Sequence, residues 1–566
     1  MNHETGRAHL VAWEQNRPHN FYTSDANLRA VLRQYLGAGY EAAARRLEDL
    51  GEKSAQVIDP AARQEDRLPN HPRLERYNGV GERLEAIEFH PNHDLIGRIV
   101  WSSGIMALQG EPGNTVLQMG LYYLLCLNGE AGHLCSLACT SGLIRALQQA
   151  ADDSLKARYL PPLLNPNYDA MQHGAQFLTE VQGGSDVGAN SISAQDAGDG
   201  TWRINGEKWF CSNINADQFL MTARASDVPG TRGLGLFLVP RRLPDGTLNG
   251  FYIRRLKDKL GTRTLASAEL DFRDAVAYPV GPIEHGFKTV VELVLNTSRL
   301  MNAVACAGII RRAYLEASRY ACNRQAFGSV LASYPLVQEA IADLHSEASA
   351  ATASSFYLAH LLDAIETRRA AADDAAVYRL LVNVNKYITS VRGSEMVHRA
   401  IEVLGGNGAI ESFSVLPRLY RDMVVLESWE GTHNVLALQA LRDMQRYAVH
   451  QPFIRRLRDL LAVAAQSPVL AALAAHTAQA IDALEATIER VMRGDDTYQQ
   501  AHARRLADRC GLVAQATLLL WECAHDTLDG LKVDLLTHFI GRHLHAQNPL
   551  DDEGYLPRLE RIMTSA

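Results

Sequence analysis

The sequence lacks three features that would place it in a specialised class of protein. Lys and Arg number 56 against 64 Asp and Glu, a formal charge of -8, so no basic excess indicates a polyanion-binding protein. None of the 8 cysteines forms a CxxC pair. The chain opens without a basic segment followed by an apolar run, and no stretch approaches the roughly 20 apolar residues of a spanning helix. We therefore expect a cytoplasmic protein with reduced thiols and no membrane association.

The composition and the apolar periodicity indicate a large protein of mixed structure. Hydrophobic residues make up 47% of 566 residues, enough to bury several cores. Apolar spacing is helical over 1–164, changes to short β-forming segments over 165–281, and is helical again over 282–446 and 447–566. We predict a mostly α, α+β fold with an N-terminal helical domain, a central β-barrel or sandwich domain, a C-terminal four-helix bundle and a helical extension.

The segment FLTEVQGGSDVGAN, residues 177–190, departs from what packing alone would choose. Gly183 and Gly184 allow close backbone approach, while Thr179, Ser185 and Asp186 offer short hydrogen-bonding side chains. Taken alone, such a loop is more often structural than functional.

A second unusual segment is ESWEGTHNVLALQAL, in which Glu430 lies between Trp429 and Gly431 just before an apolar helix. A carboxylate beside an indole and a helix N-terminus is a sensible place for a base. The simpler interpretation is an acidic residue that stabilises the helix N-terminus.

These segments resemble the two signature regions of the acyl-CoA dehydrogenase family, in the expected order and spacing. TEVQGGSDVGA matches the first signature, with Phe177 where a smaller residue is usual, and WEGT resembles the loop that carries the catalytic glutamate. GEKWFCSN, RQAFG and EVLGGNGA resemble three further motifs of the family. The resemblance covers about residues 80–445 and implies the helix–sheet–helix order predicted above. Within the family, the N-terminal segment and the long helical tail most resemble the alkylation-response AidB subgroup.

The resemblance implies FAD as cofactor and a role for each matching residue. Glu430 would be the catalytic base for the α-proton of the substrate. The residues implied in cofactor binding are Thr179 and Ser212 at the flavin ring, Phe210 packed against it, Ser185 near the pyrophosphates of FAD or CoA, and Arg324, Phe327, Gly405, Gly406, Thr432 and Asn434 around the cofactor between subunits. An aromatic such as Phe210 on a strand is otherwise usually part of a core.

Arg299 is predicted to face the active site and to tune its charge. Some relatives keep the base on a different helix, at the position that aligns with Ser298. Serine cannot serve as that base, which strengthens the case for Glu430. A solvated helix arginine is the alternative for Arg299.

We predict no metal site and no Rossmann fold. His90 and His93, and likewise His538, His543 and His545, have no Cys or carboxylate partner at a recognised ligand spacing. GGNGAI lacks the third glycine and the βαβ context of a dinucleotide-binding loop.

The function implied is α,β-dehydrogenation of an acyl-CoA or related thioester by an FAD-dependent acyl-CoA dehydrogenase. Electrons would pass to an electron-transfer flavoprotein or another acceptor, and the RQAFG motif implies a homo-oligomer, which we expect to be a tetramer. Three alternatives stay open: a DNA-associated flavoprotein of the AidB type, a non-catalytic acyl-chain binding protein, and an oxidase. DNA binding is not favoured, since residues 447–566 carry about a dozen Lys and Arg against about fifteen Asp and Glu. The acyl chain, its carrier and the electron acceptor are not specified by the sequence.

Overall fold

The computed structural model describes residues 3–525, 530–544 and 549–565, so that His545 lies outside the described residues. Its helices are α1 (His3–Gln15), α2 (Ala26–Leu36), α3 (Tyr40–Lys53), α4 (Asp59–Glu65), α5 (Pro91–Ser102), α6 (Thr115–Cys126), α7 (Ala131–Ala150), α8 (Asp153–Leu163), α9 (Gly286–Thr289), α10 (Asn296–Asn323), α11 (Pro335–Glu366), α12 (Asp374–Leu404), α13 (Leu416–Ser428), α14 (His433–Tyr447), α15 (His450–Ala464), α16 (Ala471–Met492), α17 (Asp496–Cys523), α18 (Leu531–His543) and α19 (Tyr555–Thr564). The predominance of helix confirms the predicted fold class.

The strands are β1 (Arg73–Tyr77), β2 (Arg83–Glu88), β3 (Gly174–Phe177), β4 (Ser193–Asp196), β5 (Trp202–Ser212), β6 (Gln218–Arg224), β7 (Leu234–Pro240), β8 (Phe251–Leu256), β9 (Ser267–Pro279), β10 (Gln325–Ala326) and β11 (Ser329–Val330). Seven of them form one sheet in the order β3-β6-β4-β5-β9-β7, with β8 paired to β9. An additional pairing of β6 with β7 closes five strands into a small barrel. Alternating apolar side chains fill it, and five phenylalanines dominate this core: Phe177, Phe219, Phe237, Phe251 and Phe272.

The N-terminal region is not entirely helical, which corrects one expectation. Strands β1 and β2 form an antiparallel hairpin in a region where helical spacing was expected. Asn78 and Gly81 form the turn, since Gly81 N–H donates to Asn78 O at 3.0 Å and Gly81 has φ of 84°. The helical period on either side hid this short pair of strands.

The chain divides into two compact units that are each built from separated segments. Unit 1 comprises Met1–Gln56, Gly113–Gly129 and Asn302–Ala566, and unit 2 comprises Val57–Pro112 and Glu130–Met301. Unit 2 contains the barrel. Unit 1 contains the predicted bundle from Asn302 onward and the predicted extension, and the four-part division itself stays a prediction.

Buried ion pairs join the last helices to the bundle within unit 1. On α18, His538 Nε2 lies 2.7 Å from Asp343 Oδ1 of α11, and His543 Nε2 lies 2.5 Å from Glu347 Oε1 one turn further along. Arg542 also bonds to Asp343. The extension is therefore packed against the bundle by specific polar contacts rather than appended as a loose tail.

One helical run has the length and apolar composition of a membrane-spanning helix, which we expected of no segment. The run Ile283–Asn323 is long and apolar enough to cross a membrane by length and composition, but 83% of its most apolar window is buried inside the protein. Such burial is that of a core helix.

Candidate active site

The loop after β3 forms part of the site in unit 2. Gly183 has φ of 138°, and a Cβ at Gly184 would lie 2.5 Å from Thr179 Oγ1, so a larger residue would displace the threonine. Thr179 is half-buried, whereas Ser185 is exposed. Gly184 thus makes the close approach for which the pair was singled out, whereas Gly183 supplies a backbone conformation that favours glycine.

A buried ion pair fixes this loop on the barrel. Lys208 Nζ lies 3.0 Å from Glu180 Oε1 and donates to Leu178 O at 3.0 Å, and both charged side chains are almost fully buried. Glu180 Oε2 accepts from the N–H of Ser191 at 2.7 Å. Burial lowers the pKa of Lys208, and the Glu180 carboxylate opposes that shift. The sequence analysis missed this pair. Lys208 shares the alternating pattern of the inward-facing residues of the strand, and a lysine in such a position indicates a buried acidic partner.

A bulge in β5 exposes Phe210 beside Thr179. Between Lys208 and Cys211, β5 has one residue more than the segment of β9 that pairs with it, which makes a β-bulge. Within the bulge, the Trp209 N–H donates to Thr179 O at 2.9 Å. Half of Phe210 is exposed, so its interpretation as a core aromatic is wrong.

Thr179, Phe210 and Ser212 fit a planar, partly polar ring. Ser212 is half-buried and its Oγ lies 2.9 Å from Ser267 Oγ. An exposed aromatic with a hydroxyl on each side is the arrangement that a flavin ring needs, because it combines an apolar face with hydrogen bonds at the edge. Lys257 Nζ lies 3.6 Å from the centre of the Trp209 ring and 4.7 Å from that of Phe210, and its charge is paired with Glu269 Oε1 at 2.8 Å.

Arg299 is buried near the start of α10, with 5% of its surface exposed. Its Nη1 lies 3.4 Å from Asn296 Oδ1, one turn earlier. The alternative of a solvated arginine is therefore wrong. Ser298 is equally buried, and a serine there offers no carboxylate.

In unit 1, Glu430 lies in the tight turn between α13 and α14. Its φ is 57°, a left-handed conformation that costs an ordinary residue about 1–2 kcal/mol, and Gly431 follows with φ of 113°. The Trp429 N–H closes α13 on Val425 O, and the Glu430 side chain is half-buried. A strained turn of this kind persists only where its surroundings hold it.

Lys386 of α12 holds the Glu430 turn at both ends. The lysine is fully buried, and its Nζ donates to Glu427 O at 2.8 Å and to Gly431 O at 3.0 Å. Ser394 Oγ also donates to the Glu427 carboxylate. Lys386 was missed, and its signal was a single lysine within the apolar stretch VNVNKYITSV.

The hairpin of β10 and β11 carries Phe327 outward. The phenylalanine is 94% exposed with φ of 51°, and Tyr334 Oη donates to its carbonyl at 3.1 Å. Arg324 precedes the hairpin, and its N–H donates to Tyr320 O at 2.9 Å.

The glycine turn after α12 lies at the same end of α10 as this hairpin. Gly405 has φ of 59°, and nothing lies within 4 Å of a Cβ built on Gly405 or Gly406. Asn407 Nδ2 donates to Tyr320 Oη at 3.1 Å, which connects the turn to the residues before Arg324. Open space and glycine together leave room for a ligand against the backbone.

Thr432 and Asn434 are exposed at the first turn of α14, immediately after Glu430. The unpaired backbone N–H groups of a helix N-terminus favour a negatively charged group. The predicted residues of unit 1 are therefore gathered at two places: the Glu430 turn, and the end of α10.

The fold gives His93 acidic neighbours that sequence spacing did not reveal. His93 Nδ1 lies 2.9 Å from Glu65 Oε1, and both lie near Glu130. Burial lowers the pKa values of His93 and His133 to about 3 and raises that of Glu130. His538 and His543 each pair with a carboxylate of α11, as described above.

Three family descriptions match successive parts of the chain. They are "Adaptive response protein AidB N-terminal domain" over residues 13–170, "Acyl-CoA dehydrogenase, middle domain" over 175–275 and "Acyl-CoA dehydrogenase, C-terminal domain" over 284–445. The second covers the barrel, and the third covers the helices that carry Glu430.

Individual proteins show the same relationship. The putative acyl-CoA dehydrogenase AidB of Escherichia coli (strain K12) is 33% identical over 444 residues, 76% of this chain and 79% of that protein. Acyl-CoA dehydrogenase family member 11 of Caenorhabditis elegans is 31% identical over 439 residues, 75% of this chain and 70% of that protein. The crystal structure of Caenorhabditis elegans ACDH-11 in complex with C11-CoA matches with a TM-score of 0.85 and 25% identity, over 97% of this chain and 92% of that one.

Members of this family are FAD-dependent oxidoreductases that act on CH–CH bonds, and FAD is the cofactor here. On domain order and identity together, the chain belongs to the acyl-CoA dehydrogenase family, in its AidB subgroup.

Proposed function

We propose that this protein dehydrogenates the Cα–Cβ bond of an acyl-CoA thioester, with Glu430 as the base that takes the α-proton. The observation that carries the proposal is the strained turn in which Lys386 holds the carbonyls on both sides of Glu430. A purely structural acidic residue at a helix N-terminus needs no such strain, whereas a base must be held in one position.

The residues of this chain divide the work of the reaction. The α-proton of a thioester is poorly acidic until the carbonyl is polarised, so the backbone N–H of Glu430 donates to that oxygen while its carboxylate accepts the proton. FAD, when bound, supplies an acceptor for the hydride that leaves the β-carbon. The hydroxyls of Thr179 and Ser212 orient the cofactor ring, and Phe210 packs against it.

The exposed hairpin supports a homo-oligomer, which we propose to be a tetramer. Phe327 is 94% exposed although its conformation is held by Tyr334. A single exposed apolar side chain is common on protein surfaces, so the support comes from its fixed place in a hairpin whose sequence, RQAFG, resembles the family's inter-subunit motif. By the family resemblance, the contact of this motif is the FAD of a neighbouring subunit.

A DNA-associated role has less support from the predicted extension. Its first cluster of arginines is neutralised by close carboxylates: Arg455 by Asp373 at 2.9 Å, Arg456 by Asp374 at 2.7 Å, and Arg458 by Glu485 at 2.6 Å. Phosphate contacts would require those pairs to be given up. Salt-dependent retardation of duplex DNA at physiological ionic strength would reverse this order of preference.

The decisive experiment is an anaerobic titration of the FAD-loaded protein with acyl-CoAs of different length and branching, followed by flavin absorbance. Wild-type protein is expected to bleach with at least one of them. Glu430→Gln is expected to retain FAD and to lose roughly 10²–10⁴-fold in the rate of bleaching. Glu41→Gln is a matched control, because it makes the same chemical change at an exposed residue of α3, a helix that carries no residue assigned to the site.

Two outcomes would contradict the proposal. Bleaching that persists unchanged in Glu430→Gln would remove the glutamate from its role. An absence of bleaching in wild-type protein across the panel would favour the acyl-chain binding or DNA-associated alternatives. Consumption of oxygen under air would identify an oxidase.

A further inference from the structure

Three helices of unit 2 bring one histidine and two glutamates together inside the protein. Glu65 is the last residue of α4, His93 lies in the first turn of α5, and Glu130 is the N-cap of α7. One donor atom from each lies within 4.8 Å of the other two. The three side chains are separated by 28 and 37 positions in the sequence, so only the fold assembles them.

The ring of His93 is held in one orientation. Phe89 stacks on the ring at 3.9 Å with 7° between the planes, and His133 stacks on it at 4.0 Å with 21° between the planes. The edge of the imidazole is thereby left to make polar contacts, and Nδ1 lies 2.9 Å from Glu65 Oε1. A ligand whose rotamer is locked by packing is the arrangement that metal sites require.

The stacked His133 is a supporting residue and not a ligand. Its Nδ1 accepts from Trp101 Nε1 at 3.2 Å, and its Nε2 donates to the main-chain oxygen of His93 at 2.8 Å. Both nitrogens are therefore in use, and the second bond ties the ring to the backbone of His93 itself. Outer contacts of this kind commonly orient the ligands of metals.

The polar contacts of Glu130 are compatible with a bound cation. Oε1 accepts from Gly132 N–H at 2.5 Å, Oε2 accepts from His133 N–H at 3.0 Å, and Thr264 Oγ1 lies 3.4 Å from Oε1. Each carboxylate oxygen has two lone-pair directions, so a backbone bond leaves room for a metal. The cap also fixes the carboxylate in place.

A cavity that is lined by His93, but not by Glu65 or Glu130, lies beside the cluster. It has a volume of about 260 Å³, and its polar lining includes His90, His93, Asp94 and Tyr168. Waters in this space would complete the coordination of an ion that the protein holds with three side chains.

We propose that Glu65, His93 and Glu130 form a binding site for a divalent first-row metal ion, such as Zn²⁺ or Mn²⁺, that joins α4, α5 and α7. One imidazole nitrogen and two carboxylate oxygens suit those ions, and no thiolate is involved. The three donors already lie within 4.8 Å of one another, so small movements of the side chains bring them into one coordination sphere. The ion also sets a positive charge against two buried carboxylates. The proposal does not depend on the dehydrogenase reaction.

The test uses full-length FAD-loaded protein that has been dialysed against a chelator and then titrated with Co²⁺ as a coloured substitute for Zn²⁺. Wild-type protein is expected to bind a single equivalent with ligand-field absorption. Glu130→Gln is expected to bind at least roughly 100-fold more weakly. Glu347→Gln is the matched control, because it alters a buried glutamate that is also paired with a histidine, His543, and it is expected to bind as wild type does.

A measurement on unaltered protein guards against a variant that fails to fold. X-ray absorption at the zinc edge of reconstituted wild type should show nitrogen and oxygen donors with imidazole scattering, and Zn²⁺ should raise the melting temperature. The proposal is overturned by sulfur donors, by the absence of a saturable site in wild type, or by equal affinity in a folded Glu130→Gln protein. In those cases the three side chains are a hydrogen-bonded cluster only.

Discussion

In each unit one buried lysine holds a segment of predicted site residues, but the two lysines act on different partners. In unit 2, Lys208 pairs with a carboxylate, Glu180, and adds one main-chain bond to Leu178. In unit 1, the two bonds of Lys386 to the Glu430 turn go to main-chain carbonyls, those of Glu427 and Gly431. Lys208, the carboxylate anchor, therefore forms an ion pair, whereas Lys386, the carbonyl anchor, donates hydrogen bonds to the main chain of the Glu430 turn.

The difference separates two tasks. A buried ion pair has a large penalty if either partner is lost, so the glycine loop depends on Lys208 for its folding. Loss of Lys386 leaves two carbonyls without a donor but no unpaired charge, which costs less, so the Glu430 turn depends on Lys386 for its position more than for its existence. The first anchor should govern retention of FAD and the second should govern turnover.

The largest expected effect is that of Lys208→Met. The substitution leaves Glu180 buried without its cation, and we expect a loss of about 3–5 kcal/mol in the free energy of unfolding together with loss of FAD. Calorimetry and flavin content measure the two effects. Lys156→Met, which breaks the exposed pair with Asp153, should change neither. A Lys208→Met protein with normal stability would contradict the assigned role.

Lys386→Met should separate turnover from cofactor binding. We expect a loss of about 2–4 kcal/mol of stability from two unsatisfied carbonyls and a fall in kcat of roughly 10²-fold, because a displacement of the base by about 1 Å is enough to slow proton transfer. Flavin content should stay at the wild-type level. If both lysine variants lost FAD equally, the distinction between the two anchors would be wrong.

Acid should weaken a contact made by a carboxylate, which takes up a proton, but not one made by a main-chain carbonyl. Asp343 of α11 is a buried carboxylate outside both lysine contacts, and it shows how large this effect of acid on stability is. Burial opposes ionisation of Asp343, but the hydrogen bond from His538 and the charge of Arg542 outweigh it and lower the pKa to about 2. Because the folded pKa lies below the unfolded value, the stabilisation is complete above about pH 4 and is lost as pH falls toward 2.

The loss of stability is about 2 kcal/mol, because folding lowers the pKa of Asp343 from 3.8 to about 2. Urea unfolding at several pH values should show the loss in wild type. Asp343→Asn should be less stable at pH 7 and should show a smaller change between pH 4 and pH 2. An unchanged slope in Asp343→Asn would assign the acid sensitivity to other carboxylates.

The smallest expected effect is that of Thr179→Ala. Loss of one hydroxyl hydrogen bond to the cofactor should weaken FAD binding by about 1 kcal/mol, roughly fivefold. Equilibrium dialysis of flavin checks the value, and Ser193→Ala, on β4 of the same barrel, serves as the control hydroxyl. A loss as large as that of Lys208→Met would mean that Thr179 also supports the fold.

Local patterns in the sequence were sufficient for the order of elements, whereas the assignment of Glu430 as the base came from the family resemblance and stays a prediction. Helical and alternating periodicities repeat within a few residues, so they predicted the helix–sheet–helix order without knowledge of distant contacts. Gly183, Gly184, Gly405 and Gly431 marked turns because a positive φ or a close approach is a property of the residue itself.

Tertiary structure alone decided how the side chains of the site are held. The bulge that exposes Phe210 depends on pairing with β9, and the lysine anchors join residues 28 to 45 positions apart. The cluster of Glu65, His93 and Glu130 has no recognisable spacing, because its members come from three helices. Periodicity is set by the backbone within one element, whereas these contacts depend on distances between elements, which a single sequence does not contain.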